Sequence, residues 1–172
     1  MAEHSRAQFN LIAQVIGTDE DSLKALWTLI EHGASPLPQR ASGALETVLD
    51  QQPWMAIPYL EPMVRLLPEA SHNALKRNFM KILARSPLER LPESAQTALL
   101  ECSFGWVQDP REPIAARVFA MEVAYRLTEL YPDLKQELMV ILHEGQHQGS
   151  AGFCARSKRI LKKLRKELGL DR

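Results

Sequence analysis

An arginine recurs at near-equal intervals close to the start of an apolar segment, and this period constrains the fold more than any other feature of the sequence. The four arginines are Arg40, Arg77, Arg117 and Arg156, and the intervals between them are 37, 40 and 39 residues. A second apolar segment follows each of the first three arginines. Two helices in each repeat of about 40 residues are typical of stacked helical hairpins, which bury their apolar faces against one another. We therefore expect a repeated, all-α fold.

The spacing of apolar residues predicts helices along almost the whole chain, and no run of alternating β-branched residues predicts a strand. Pro58 and Pro62 disfavour a helix that starts at Pro53, so this helix is expected to start late, near Ile57, or to bend. The expected helices are one at the N-terminus, one capped by Thr18 or Asp19 and ended by Gly33, and others over about residues 36–52, 53–67, 72–84, 92–108, 113–130, 132–142 and 153–168. In the helix 113–130 the expected core stripe is Ile114, Val118, Met121, Ala124, Tyr125 and Leu127.

Length and composition favour a globular protein without membrane segments. The chain has 172 residues, 45% of them hydrophobic and 24% charged, which suits one domain with a real core. No apolar run reaches the roughly 20 residues that cross a bilayer, and the polar N-terminal segment does not resemble a signal peptide. Cys102 and Cys154 lie far apart, which predicts free thiols in a reducing compartment. The expected location is the cytoplasm.

Charge is balanced overall but unevenly distributed. The formal net charge is zero, whereas residues 156–172 carry eight lysines and arginines against two acidic residues. The rest of the chain is therefore acidic. A neutral chain with one basic end is not typical of a general nucleic-acid-binding protein, and a polar outer face is what the end of a helical stack needs for solubility.

The segment DPREPIAARVFAMEVAYRL, residues 109–127, resembles the HEAT repeat family, in which an Asp in the turn is followed by an Arg that opens the second helix. The segments QRASGALE, LKRNFMKIL and GSAGFCARSKRILKKL resemble the same family, and together the set resembles small bacterial HEAT-like proteins of unassigned function. The resemblance implies an α-α superhelix with a right-handed curl, built of four to five units. It implies one domain over residues 1–172, with a leading helix pair at 1–33, three repeats at 34–149 and a basic capping helix at 150–172.

The arginine ladder, defined as Arg40, Arg77, Arg117 and Arg156, has two possible roles. One is structural, because an arginine near a helix start meets an unfavourable dipole and needs a carboxylate or a carbonyl beside it. Candidate partners are Asp109 or Glu112 for Arg117, and Asn73 or Asn78 for Arg77.

The other role is binding, since the resemblance implies that second helices line the concave surface of the stack. On this hypothesis the binding residues are those of the ladder together with Glu46, Lys81 and Glu122. The expected function is a non-catalytic scaffold for a protein partner. The alternative is a nucleic-acid-binding protein, possibly a DNA glycosylase, because a row of guanidinium groups also suits phosphates.

Two patterns could indicate an enzyme. The segment HEGQH, residues 143–147, matches the H-E-x-x-H zinc motif, but Gly145 lies inside it and neither Cys154 nor Glu167 is suitably spaced as a third ligand. Trp106 and Asp109 could contribute to a base-excision site, although they lie at a repeat turn, while Trp27 and Trp54 are expected in the core and at a helix start. We therefore predict no catalytic residue, no metal and no cofactor.

Overall fold

The computed structural model describes residues 6–146 and 149–170, and the regular structure of this part of the chain is entirely helical. It contains nine α-helices and three short 3₁₀ segments, with no strand among the described residues. The predicted all-α fold is therefore confirmed. The chain divides into two compact units, Met1–Pro87 and Leu88–Arg172. In the described ranges no helix combines the length and the apolar character needed to cross a membrane.

The first unit contains five α-helices. Asp19 caps the second of them, because its carboxylate accepts a hydrogen bond from the backbone N–H of Ser22 at 3.1 Å. Gly33 ends the same helix, as the sequence predicts. The helices are α1 Arg6–Ile16, α2 Glu20–His32, α3 Leu37–Gln51, α4 Leu60–Leu66 and α5 Asn73–Leu83.

The proline-rich segment between α3 and α4 starts its α-helix later than expected. Residues Pro53–Tyr59 form a 3₁₀ helix, and α4 begins only at Leu60. Pro58 has no N–H to donate and its ring clashes with the preceding turn, so α-helical bonds cannot form through it. Pro62 falls in the first turn of α4, where the missing N–H costs nothing. The expected start near Ile57 is therefore wrong by three residues.

The core of the first unit is centred on α3. All nine residues from Ala41 to Leu49 are buried, including the polar Ser42, Glu46 and Thr47. The helix packs against α1, α2, α5 and the 3₁₀ segment. Beside it the ring of Trp27 lies 5.2 Å from that of Tyr59 and 5.9 Å from that of Phe79.

The second unit contains four α-helices. These are α6 Glu93–Gln108, α7 Ile114–Leu130, α8 Lys135–Gly145 and α9 Ala151–Glu167. Met121, Ala124 and Leu127 of α7 are fully buried, as their spacing predicts. Ile114 is 51% exposed, so its predicted place in the core is wrong, because it is the first residue of α7 and lies at the helix end.

A polar cluster holds the end of α9 against the rest of the second unit. The hydroxyl of Tyr125 donates a hydrogen bond to Glu167 at 2.6 Å, and Lys135 forms an ion pair with the other carboxylate oxygen at 2.9 Å. These two contacts, the tyrosine first, lower the pKa of Glu167 from its usual 4.5. The ammonium of Lys163 lies over the Tyr125 ring at 4.7 Å.

Glu167 is expected to make stability depend on acid. Because its pKa is lower in the folded than in the unfolded protein, its contribution is complete above the ordinary value of 4.5 and is lost as the pH falls through the folded-state pKa. Glu167→Gln should therefore flatten the fall in Tm between about pH 5 and about pH 3. Glu137→Gln, at an exposed position of α8, is the control. An unchanged slope in Glu167→Gln would contradict this role.

Candidate functional site

Arg117 is a folding residue of the second unit. Its side chain is buried at 7% exposure, and its Nε and Nη2 donate to the carbonyl oxygen of Val107 at 3.3 and 2.8 Å. Its guanidinium lies 4.4 Å from the centre of the Phe153 ring. Burial lowers the pKa of Arg117, and the charge of Asp109 opposes that shift. These contacts supply hydrogen bonds to a carbonyl near the end of α6. They connect α7, which carries Arg117, to α6 and α9.

Asp109 does not bond Arg117, so that pairing expected from the sequence is wrong. The carboxylate instead accepts hydrogen bonds from the side chain of Arg111 at 2.8 to 3.2 Å, and one from its backbone N–H at 2.9 Å. These bonds hold the pKa of Asp109 down to about 2. Asp109 and Arg111 are two residues apart and form a local turn. The carboxylate is therefore hydrogen-bonded to Arg111 and not to Arg117.

Arg156 and Lys81 already have carboxylate partners. In the second unit, Glu122 of α7 pairs with Arg156 at 2.7 Å and with Arg159 at 3.1 Å, both on α9. In the first unit, Glu46 of α3 pairs with two cations of α5 and the residues after it: Lys81 at 2.8 Å and Arg85 at 2.7 Å. In both units one acidic side chain thus pairs with two basic ones, and in the first unit Asp50 adds a second carboxylate to Arg85.

Loss of the Glu46 carboxylate is expected to destabilise the first unit. Glu46 is 5% exposed, and its removal takes away the carboxylate partner of Lys81 and leaves Arg85 paired with Asp50 alone. Glu46→Gln should lower the free energy of unfolding by about 1–3 kcal/mol, measured by urea denaturation. Glu61→Gln, at an exposed position of α4, should leave the urea midpoint unchanged. Equal midpoints for both variants would show that the pair adds nothing.

Arg40 and Arg77 come together at one cavity of the first unit. The cavity has a volume of about 370 Å³. Its lining residues are Phe9, Pro36, Gln39, Arg40, Gly43, Ala74, Arg77 and Asn78. The ring of Phe9 reaches the cavity because Gly43 has no side chain: a Cβ there would lie 2.6 Å from the ring. Two arginines line this space, and none of the described residues that line it carries a carboxylate.

A buried relay of hydrogen bonds positions Arg77. Its Nε and Nη2 both donate to the side-chain oxygen of Asn78, at 3.2 and 3.1 Å. Asn78 donates to Ser42 at 3.0 Å, and Ser42 donates to the backbone carbonyl of Gln39 at 2.8 Å. The relay runs from α5 to α3, so the guanidinium of Arg77 is fixed relative to the helix that carries Arg40.

Arg40 makes no side-chain hydrogen bond or ion pair with the residues that the structure describes. Its Nε is buried and lacks a partner, and so does Oε1 of the neighbouring Gln39. Buried donors and acceptors are almost always paired in folded proteins. A donor and an acceptor that both lack a partner, on adjacent residues lining one cavity, therefore mark a place where a ligand can supply the missing bonds once the two side chains turn toward it.

Arg40 and Arg117 differ in what lies beside the arginine side chain. The residue that differs is on the helix that carries the next arginine of the ladder. Ala74 lies three residues before Arg77 and lines the cavity, whereas Phe153 lies three residues before Arg156 and covers Arg117. In the second unit the Phe153 ring fills the position beside the arginine, whereas in the first unit Ala74 leaves the equivalent position open. Ala74, Gln39 and Phe9 were not predicted as site residues from the sequence. Aligning the repeats on their arginines does place Ala74 opposite Phe153.

Neither of the two enzyme patterns forms a site in the described residues. In HEGQH, α8 continues through Gly145 and His143 is exposed, while His147 lies outside the described residues. No group of three His, Cys, Asp or Glu residues that could hold a metal is present in ranges 6–146 and 149–170. Neither Cys102 nor Cys154 is part of a disulfide.

The tryptophans occupy different environments. Trp27 is buried in the core of the first unit, as expected, and Trp106 is half-buried on α6. Trp54 is 52% exposed and lines, with Glu20 and Tyr59, a second cavity of about 510 Å³. Trp106 and Asp109 flank the end of α6, where Asp109 is already bonded to Arg111.

Comparison with protein families gives one finding about the whole chain. A family model described as a HEAT repeat domain matches residues 2–164. No curated protein gives a significant match, and neither does any solved structure.

Proposed function

Because this chain belongs to the HEAT repeat domain family, we propose that it is a non-catalytic scaffold that binds a protein partner through its second helices. HEAT repeats generally provide extended surfaces for protein interaction. Two cysteines outside disulfides fit a reducing compartment, and we place this function in the cytoplasm.

The observation that carries the proposal is the cavity shared by Arg40 and Arg77. Of the cations in the predicted binding surface, Arg40, Arg77 and Arg117 have no carboxylate partner in the described part of the chain, and Arg117 is buried. Arg40 and Arg77 are the two that line a cavity. Arg77 is exposed, and its position is fixed by Asn78. We therefore assign the primary contact with the partner to α3 and α5 around these arginines. Glu46, Lys81, Glu122 and Arg156 take the role of bridges between helices, and Arg117 a folding role.

The distribution of charge favours a protein over a nucleic acid. A nucleic acid needs a row of free cations along its phosphates. The other cations are interspersed with carboxylates. Lys81 and Arg85 pair with Glu46, and Arg85 pairs with Asp50 as well. Arg156 and Arg159 share the carboxylate of Glu122. Acidic side chains among the cations repel a polyanion, whereas a surface of both charges is common at the rim of protein interfaces.

Affinity capture from the native cell extract tests this function, with and without nuclease. We expect one protein near stoichiometric recovery in both samples, strongly reduced by Arg77→Glu. The matched control is Arg65→Glu, an exposed arginine of α4 in the same unit. Recovery that disappears with nuclease would overturn the proposal in favour of nucleic acid. Recovery that is equal in both variants would overturn the assignment to α3 and α5.

A further inference from the structure

The cavity of Arg40 and Arg77 has a chemistry that specifies its ligand more closely than the family does. Its lining includes two cations, one neutral amide with an unpartnered oxygen, and the apolar surfaces of Phe9 and Pro36. From this combination we infer that the cavity binds an acidic side chain of an extended partner segment. The carboxylate lies between Arg40 and Arg77, and a neighbouring peptide N–H donates to Gln39. This inference rests on the proposed function and names the partner chemistry at that site.

The two arginines favour an anion. No acidic residue is among the described residues that line the cavity, so no carboxylate in this part of the chain balances their charges there. A guanidinium group presents a planar set of donors that matches a carboxylate or a phosphate. Arg77 uses Nε and Nη2 for Asn78 and keeps Nη1 for a ligand. Arg40 breaks no bond to a described residue when it turns toward an anion.

The unpartnered oxygen of Gln39 distinguishes a peptide from a phosphodiester. Oε1 is buried and accepts no hydrogen bond, whereas the Gln39 amide nitrogen donates to Ser35 at 3.3 Å. The ligand that completes the site must therefore donate as well as accept. A peptide with an acidic side chain offers N–H groups beside its carboxylate, whereas a phosphodiester backbone offers only acceptors.

The space for the ligand is specific to the first unit. Over Arg117 the ring of Phe153 occupies the position next to the guanidinium at 4.4 Å. Over Arg40 the corresponding residue is Ala74, and the cavity is open. The methylene groups of a glutamate fit against Phe9 and Pro36, because these walls are apolar. The same repeat position therefore supports a fold contact in one unit and a ligand contact in the other.

A titration of the whole protein with short peptides, followed by NMR, tests the ligand chemistry. The probe is N-acetyl-Ala-Glu-Ala-amide, and the comparison ligands are its Gln analogue, its N-methylated analogue and inorganic phosphate at equal ionic strength. We expect the Glu peptide to shift the side-chain signals of Gln39, Arg40 and Arg77. The two peptide analogues should bind about tenfold more weakly, since each lacks one charged or neutral hydrogen bond. Equal binding of the Gln analogue, or tighter binding of phosphate, would overturn the inference.

Two variants of the cavity test its location. Ala74→Phe keeps both arginines and fills the space with the residue found at the equivalent position of the second unit, and Arg40→Gln removes the charge without breaking a bond. Each should weaken binding of the Glu peptide about tenfold, while Arg65→Gln should bind like the original protein. If circular dichroism shows that Ala74→Phe is unfolded, Arg40→Gln alone decides. Unchanged binding in Arg40→Gln would place the anion site elsewhere and overturn the inference.

The peptide titration needs no partner, so it separates this inference from the proposed function. Loss of partner capture in Arg77→Glu, without binding of the Glu peptide, would leave the scaffold function intact and overturn the acidic-segment chemistry. Binding of the Glu peptide, with partner capture unaffected by Arg77→Glu, would support the chemistry of the cavity and overturn its role in the scaffold function.

Discussion

Arg117→Ala is expected to lower the free energy of unfolding by about 2–4 kcal/mol, which combines a charged hydrogen bond of about 1.5–3 kcal/mol with a desolvated cation–π contact. The variant loses both donors to the carbonyl of Val107 and the contact with the Phe153 ring. It also leaves that carbonyl buried without its partner. Urea denaturation followed by far-UV circular dichroism measures the loss.

Two variants calibrate this result. Arg117→Lys keeps the charge but cannot place two N–H groups on one carbonyl, so its loss should fall between the original protein and alanine. Arg111→Ala removes an exposed arginine from the same turn and should lower the urea midpoint much less, because exposed ion pairs contribute little to stability. A midpoint for Arg117→Ala that matches that of Arg111→Ala would refute the folding role.

Phe153→Ala is expected to cost about 3–5 kcal/mol, the range for truncating a buried aromatic side chain. The ring is fully buried and lies between the guanidinium of Arg117 and two glycines. A Cβ at Gly145 would come within 2.8 Å of the ring, and one at Gly149 within 2.5 Å. The cavity left by alanine is therefore lined on one side by glycine backbone, which has no side chain to fill it.

A double-mutant cycle separates packing from the contact with the cation. If Arg117 and Phe153 stabilise each other, the double variant should be less destabilised than the sum of the single variants by about 0.5–2 kcal/mol. Val140→Ala, at a 56% exposed apolar position of α8, is the control for loss of apolar volume. A loss in Phe153→Ala no larger than in Val140→Ala would contradict this packing.

The fold was largely predictable because helical periodicity and capping are local properties. Asp19 and Gly33 delimit α2 as expected, and the arginine period led to the repeat family that residues 2–164 match. The predicted burial of Ile114 was wrong because periodicity gives the buried face of a helix but not how far the core extends toward the helix end. The start of α4 was wrong because two prolines allow several short helical solutions.

The site was only partly predictable, because the state of each arginine depends on what lies across from it. Arg40 and Arg117 occupy the same position in the repeat, yet Ala74 leaves one accessible while Phe153 covers the other. The carbonyl of Val107 could be foreseen only as a class of partner, since every helix ends with free carbonyls. Whether the remaining ladder residues bind a partner stays a prediction.

The burial of α3 affects how fast its backbone N–H groups exchange with solvent. Its residues Ala41–Leu49 are covered on every side, so the backbone N–H groups of this stretch can exchange with solvent only when much of the first unit opens. On α1 the buried residues are Ala13 and Ile16, whereas Leu11 and Val15 are exposed. We therefore expect α1 to open more readily than α3. Because α1 contributes the Phe9 wall of the cavity, the rate at which a ligand enters should follow the opening of α1.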